Sequence, residues 1–205
     1  MKNVPYVKIE NIVCSVYWHI EIDLNKIVSS NSTVEYRPEQ FPGLIYRTKN
    51  PKTANLIFTS GKMVCTGAKT VKDAKKAVEK VKKDVIEKYF GKQPRTPDFS
   101  VQNIVASCDF YGNILLDYIN RLYGSSRYSV MYEPDQFPGA IVRDKQKVEI
   151  IKNGEKMLSE NSSVFLLFAS GKVIATGCKT EKSLISRTND LYKTLFDLGL
   201  LVENV

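Results

Sequence analysis

The chain has a single histidine, His19, and its four cysteines, Cys14, Cys65, Cys108 and Cys178, are each dozens of residues from the next. No Cys-x-x-Cys pair or Cys/His cluster exists, which argues against a zinc site and against a disulfide framework; a reduced, intracellular chain is expected. No nucleophile–histidine arrangement and no cofactor-binding motif can be assembled, so an enzyme is the poorest fit and no cofactor is expected. No apolar run approaches the length of a membrane-spanning helix. The opening Met1-Lys2-Asn3-Val4-Pro5-Tyr6-Val7-Lys8-Ile9-Glu10 lacks the apolar core of a secretory leader, so no membrane association is expected. Acid excess is also missing. Thirty Lys and Arg against 22 Asp and Glu leave a net charge of +8, and a polyanionic partner becomes plausible.

What the chain does have is itself, twice. Asn11-Ile12-Val13 returns as Asn103-Ile104-Val105, and Pro38-Glu39-Gln40-Phe41-Pro42-Gly43 as Pro134-Asp135-Gln136-Phe137-Pro138-Gly139. Phe58-Thr59-Ser60-Gly61-Lys62 returns as Phe168-Ala169-Ser170-Gly171-Lys172, and Thr66-Gly67-Ala68-Lys69 as Thr176-Gly177-Cys178-Lys179. The reading is a first repeat over 1–91, a Pro/Gly-containing linker over 92–98 and a second repeat over 99–205. Equivalent residues are 92 apart at Asn11, 96 apart at Phe41 and 110 apart at Gly61, so the second repeat carries an insertion at about 144–163. Asn153-Gly154 between apolar runs predicts that the insertion is a two-stranded hairpin arm. It reads equally as an interaction arm and as a tolerated insertion.

Within each repeat the pattern predicts strand, short helix, four strands and a long amphipathic helix. The short helices are expected over Leu24–Ser30, capped by Asp23, and over Ile114–Tyr123. The first long helix is expected from Val71 to about Tyr89 on Ala74, Ala77, Val78, Val81, Val85 and Ile86. The second is expected over Glu181–Leu198 on Leu184, Ile185, Leu191, Leu195 and Phe196. This is an α+β fold with helices on one face of an antiparallel sheet. Side chains alternate along a strand, so Ile57, Met63 and Cys65 face the helices while Leu56, Phe58, Ser60, Lys62, Val64 and Thr66 face away. Both sides are apolar, yet each repeat supplies helices for only one. A second protein surface is one cover for the other side. Its content favours another: amide and hydroxyl donors among flat aliphatic side chains suit the acceptor-only minor groove of A·T-rich DNA.

The Phe-Pro-Gly blocks, the Ser-Gly-Lys blocks ending in Thr-Gly-Ala-Lys or Thr-Gly-Cys-Lys, and the paired Asn-Ile-Val segments resemble the TATA-box-binding proteins, and more the archaeal than the eukaryotic type. The resemblance spans essentially the whole chain. It implies two pseudo-symmetric repeats forming one curved, saddle-like antiparallel sheet with helices on its convex face. It implies a general transcription initiation factor that bends TATA-box DNA from the minor groove. By that resemblance Phe41 with Phe58, and Phe137 with Phe168, intercalate as pairs. Asn11, Val13, Leu56, Val64, Thr66, Asn103, Val105, Leu166, Ile174 and Thr176 meet the bases. Arg47, Ser60, Lys62, Lys69, Arg143, Ser170, Lys172 and Lys179 hold phosphates. Glu133 and Asp135 dock a transcription factor B type partner, which links the chain indirectly to RNA polymerase; read from the residues alone, they are a polar turn. The implied location is the archaeal cytoplasm or nucleoid, or a nucleus in a eukaryote. The rival reading from the residues is a non-enzymatic module that binds protein or lipid on the open sheet face. That same apolar face makes a homodimer without DNA reasonable. The lysines at 72, 75, 76, 80, 82 and 83 read as a solvated helix face or as a second binding patch.

Overall fold

The computed structural model describes residues 4–124, 126–152, 155–160 and 162–203. They fall into two compact units, one of Glu10–Asn103 and one of the residues from Ile104 onward with those before Glu10. In the first, the elements are β1 (Tyr6–Tyr17), α1 (Leu24–Val28), β2 (Val34–Glu35), β3 (Leu44–Lys49), β4 (Lys52–Ile57), β5 (Lys62–Ala68) and α2 (Val71–Val81). The strands form an antiparallel sheet in the order β2-β3-β4-β5-β1. Asp23 caps α1 as expected, accepting from the backbone N–H groups of Asn25 and Lys26.

Helix α2 starts where the Thr70 hydroxyl accepts from the backbone N–H of Asp73 at 3.0 Å, and the same hydroxyl donates to the Asp73 carboxylate at 2.8 Å. Its apolar stripe is the expected one: Ala74, Ala77, Val78, Val81, Val85 and Ile86 are buried against Leu44, Ile57, Met63 and Cys65 of the sheet. The helix continues through a π-helical stretch (Lys82–Glu87) and a last turn (Lys88–Phe90). Along this wider turn the Tyr46 hydroxyl donates to Asp84 Oδ2 at 2.8 Å, tying β3 to the helix. Lys76, Lys80 and Lys82 each lie within 4.0 Å of an acid of their own helical segment, the behaviour of a solvated face.

The second unit repeats the plan with β6 (Asp98–Asp109), β7 (Gly112–Ile114), a 3-10 helix (Leu116–Gly124), β8 (Tyr128–Met131), β9 (Gly139–Asp144), β12 (Ser163–Phe168), β13 (Lys172–Cys178) and α3 (Glu181–Asp197). Its sheet order, β8-β9-β12-β13-β6, matches that of the first unit strand for strand. Between β9 and β12 the insertion forms β10 (Lys147–Lys152) and β11 (Glu155–Glu160), paired antiparallel from Lys147 opposite Glu160 to Lys152 opposite Glu155. Six residues per strand give an arm of about 20 Å. The predicted Asn153-Gly154 turn lies outside the described residues.

Two expectations need correction. The helix expected over Ile114–Tyr123 is a 3-10 helix preceded by a strand, because Leu116, Ile119 and Leu122 recur every third residue and eclipse on one buried side. The strand β7 is held by β14 (Leu201–Glu203), a three-residue element too short to leave a sequence pattern. On α3, Ile185 and Phe196 are exposed, although the apolar pattern placed them in the core. Leu184, Thr188, Leu191, Tyr192 and Leu195 line the packed side, and Ile185 and Phe196 stand one residue beyond it on the flank.

The root of the arm is ionic. Asp144, at the end of β9, is fully buried; it receives Arg127 Nε at 2.9 Å and Nη2 at 2.8 Å, and Arg187 Nη1 at 3.3 Å. Arg187, 2% exposed, also donates to the Ser163 hydroxyl at 3.2 Å, and Arg127 reaches Asp190 at 2.9 Å. The equivalent site of the first repeat is neutral, with the Thr48 and Thr53 hydroxyls 2.7 Å apart.

Removing one partner of a buried ion pair leaves the others uncompensated. Asp144→Ala should therefore cost about 3–5 kcal/mol in chemical denaturation, against about 1 kcal/mol for Thr48→Ala; equal losses would deny the cluster a special role. Burial, then the neighbouring Asp84, pushes the Tyr46 hydroxyl up to about 12 from its ordinary 10. The folded state thus holds this proton more tightly, so its stabilisation is complete below pH 10 and is lost as pH rises through about 12. Tyr46→Phe should lower stability by about 1–2 kcal/mol and remove that alkaline step from the stability profile.

Candidate nucleic-acid interface

Alternation along the strands sorts each sheet into two faces. In the first unit Leu44, Ile57, Met63 and Val16 form a cross-strand row that is buried under the helices. One residue along, Ile45, Leu56, Val64 and Ser15 form a row on the opposite face, and all four are only half-buried. The second unit repeats both rows: Ala140, Leu167, Val173 and Cys108 inside, Ile141, Leu166, Ile174 and Ser107 outside. A further open row runs Arg47, Ala54, Thr66 and, equivalently, Arg143, Val164, Thr176. Val13 and Val105 share the half-buried character of the open face. Among the described residues, the buried rows are the ones packed under the helices, and these open rows stay half-buried or exposed.

The phenylalanines sit on this face as two matching pairs. Phe41 and Phe58 have ring centroids 5.8 Å apart at 65°, and Phe137 and Phe168 have centroids 5.8 Å apart at 63°. Both pairs are edge-to-face, the favoured aromatic arrangement. The insertion lengthens the sequence interval between Phe137 and Phe168 without changing their geometry, since the β9–β12 register still sets Phe168 opposite Gly139. Each pair is seated on the glycine of its Phe-Pro-Gly block. A Cβ on Gly43 would stand 2.6 Å from Phe41 Cε1 and 2.9 Å from Phe58 Cε1; on Gly139 it would stand 2.8 Å from Phe137 Cε1. Before each Phe-Pro-Gly block a turn brings the backbone N–H of Phe41 to the Arg37 carbonyl at 2.9 Å and that of Phe137 to the Glu133 carbonyl at 3.0 Å. Glu133 and Asp135 are exposed on the second of these turns.

Polar groups complete the face. The Asn11 side-chain carbonyl accepts the backbone N–H of Gly67 at 2.7 Å, and the Asn11 amide donates to the Thr66 hydroxyl at 3.1 Å. The amide is thereby oriented with its NH₂ as the available donor group. Asn103 and Thr176 occupy the equivalent half-buried positions. Ser60, Lys62, Ser170, Lys172, Lys69, Lys179, Arg47 and Arg143 are exposed. Three of these cations meet carboxylates: Arg47 with Glu35 at 3.1 Å, Lys69 with Glu10 at 3.6 Å and Lys172 with Asp109 at 2.5 Å.

Local patterns did not single out Ser15, Tyr17, Lys49 and Lys52, among others on this face. Ser15 and Tyr17 continue the open face along β1, a signal present in the alternation but not followed that far. Lys49 and Lys52 face each other at the β3–β4 turn and line a groove with Arg47, Asn11 and Thr66. Their proximity depends on hairpin register, which flanking residues alone do not reveal. The described residues contain no group of His, Cys, Asp and Glu side chains able to hold a metal ion, and all four cysteines are free and buried. Among the described residues no helix is long and apolar enough to cross a membrane.

A duplicated α+β unit, with one sheet face packed by helices and the other bearing paired phenylalanines, aliphatic rows and side-chain amides, defines a class of two-repeat proteins with an open sheet surface. The family model for transcription factor TFIID, or TATA-binding protein, matches residues 6–88 and again 98–198, and the chain belongs to this family. A TATA-box-binding protein of Picrophilus torridus is 42% identical over 205 residues, covering 98% of this chain and all of the relative. One from Pyrobaculum neutrophilum is 39% identical over 197 residues, covering 96% and 90%. A solved structure, the Methanococcus jannaschii protein of the family, superposes with a TM-score of 0.72 at 34% identity, covering 93% of this chain and 98% of that one.

The glycine seats make a separable prediction. In Gly43→Ala the methyl group meets only ring edges, which can move, so the phenylalanine pair shifts while stability changes by no more than about 1 kcal/mol. In Gly139→Ala the methyl also meets the Leu167 carbonyl oxygen at 2.9 Å, and this variant should be the less stable of the two in chemical denaturation.

Proposed function

We propose that the chain is a general transcription initiation factor that binds TATA-box DNA from the minor groove and bends it. The observation that carries this reading is the repeat-matched open face, with a seated phenylalanine pair, aliphatic rows and an oriented amide in reach of one another. The minor groove of A·T pairs offers only acceptors, which the Asn11, Asn103, Thr66 and Thr176 side chains satisfy. Flat contacts from Val13, Leu56, Val64, Val105, Leu166 and Ile174 leave no room for a guanine amino group. Phe41 with Phe58, and Phe137 with Phe168, wedge between base steps; the cost of unstacking, a few kcal/mol per step, is offset by the additional surface that bent DNA covers, an exchange for which this family is itself a standard example. Arg47, Ser60, Lys62, Lys69, Arg143, Ser170, Lys172 and Lys179 contact phosphates and set position rather than sequence.

The exposed Glu133 and Asp135 form the docking point for a transcription factor B type partner and, through it, RNA polymerase. The protein works inside the cell as a binding protein without a cofactor. In the absence of DNA, its apolar face favours self-association.

A gel mobility assay with a TATA duplex and a G·C-substituted control decides between this function and a protein- or lipid-binding module. The DNA reading requires a preference for the TATA duplex and affinity that falls steeply with salt; indifference to A·T content would exclude it. Phe41→Ala with Phe137→Ala should reduce bending in a circular-permutation assay, and unchanged bending would reject these residues as wedges.

A further inference from the structure

The two repeats are alike at their phenylalanines and differ one cross-strand pair away. Lys62 and Lys172 are repeat-equivalent, each the first residue of the strand that follows a wedge turn. Directly across from Lys62 stands Tyr17, and directly across from Lys172 stands Asp109.

Asp109 is held at both oxygens. Its Oδ1 accepts the backbone N–H of Tyr111 at 2.9 Å, and its Oδ2 takes Lys172 Nζ at 2.5 Å. Tyr111 has a φ of 52°, uncommon for a residue other than glycine, and this bend turns its N–H back toward the carboxylate. Lys172, and then the hydrogen bond from Tyr111, keep the carboxyl below the usual carboxylate range despite burial. In the first repeat His19 makes the same backbone bend, with φ at 58°. There the side chain of residue 17 is a phenol, tilted against the His19 ring at a centroid distance of 4.3 Å and 39% exposed. One wedge is thus flanked by a lysine across from an exposed tyrosine, the other by a lysine paired with a carboxylate.

We propose that Asp109 restrains Lys172 from the DNA backbone while Tyr17 leaves Lys62 available to it, so that the two wedges are flanked by unequal phosphate grips. This rests on the DNA-binding function proposed above. A lysine that moves from Asp109 to a phosphate exposes a carboxylate beside that phosphate, and the repulsion offsets much of the new contact. The anchored Oδ1 prevents the carboxylate from swinging away. The residue directly across from Lys62 carries no charge, and Asp98, which lines the same groove, is held 3.1 Å from His19 Nε2; the Tyr17 hydroxyl is itself a phosphate donor. The grip on the DNA is therefore stronger beside Phe58 than beside Phe168, although the wedges themselves are superposable in geometry.

The test uses the full chain and a TATA duplex, with the dissociation constant measured across a salt series. Lys62→Gln should reduce the slope of log affinity against log salt by about 0.9, the value of one phosphate contact on duplex DNA. Lys172→Gln should reduce it by less than half as much. Asp109→Asn should raise affinity several-fold and steepen the slope, and Lys172→Gln placed in that background should now cost about the full 0.9. These are surface substitutions that keep the side-chain stems, and coincident thermal unfolding curves verify that each variant is folded. Equal slope losses for the two lysine variants in the otherwise unaltered chain overturn the proposal, as does an Asp109→Asn variant with unchanged slope. Retained TATA preference alongside either result sinks this inference alone, whereas loss of any TATA preference in the unaltered chain sinks the function on which it rests.

Discussion

One-sided cover is the constraint on which the structure depends. A strand presents alternate residues to opposite faces, and in each unit both sets are rich in apolar side chains. The helices α2 and α3 bury one set completely, and the other set is left half-exposed in rows that run across four strands. Contiguous exposed apolar surface is unfavourable in water and marks a site awaiting a partner. Here the aliphatic rows lie beside lysines, arginines and serines, a pattern complementary to a polyanion with a flat apolar interior.

The same constraint explains the economy of the repeated motif. Phe-Pro-Gly places an aromatic ring and its own seat two residues apart, because the missing Cβ of Gly43 or Gly139 is the space the rings fill. The partner ring comes from the turn after β4 or β12, where register alone delivers it. An insertion between β9 and β12 therefore leaves the phenylalanine pair untouched, since extra residues outside the paired segment do not alter pairing within it. The cost of the insertion falls at the opposite end of these strands, where buried Asp144, Arg127 and Arg187 take the place of the Thr48–Thr53 hydroxyl pair.

Much of this was legible in the chain. The duplication followed from recurring blocks and the α1 cap from Asp23 itself, while the α+β class, the stripe on α2 and the division of β4 and β5 into covered and open faces followed from local periodicity. Period-two and period-3.6 patterns survive because burial enforces them residue by residue. What was misread lay where that rule is weak. The segment before β8 has too few residues to separate a spacing of three from one of 3.6. Ile185 and Phe196 are apolar on a boundary where helix curvature and neighbouring bulk decide exposure. Strand β14 is shorter than any period.

By itself the amino-acid order determined which residues belong to the open face, because alternation is a property of the extended backbone and needs no knowledge of neighbours. It also showed that each repeat carries the same phenylalanine, asparagine and threonine residues, since these recur at matched places in the chain. Only the tertiary structure decided which residues meet across strands: Phe41 with Phe58 over Gly43, Asn11 with Thr66 and Gly67, and Lys172 with Asp109 where its counterpart stands opposite Tyr17. Those pairings are set by register and by the bends at His19 and Tyr111, and a one-residue slip would exchange every one of them.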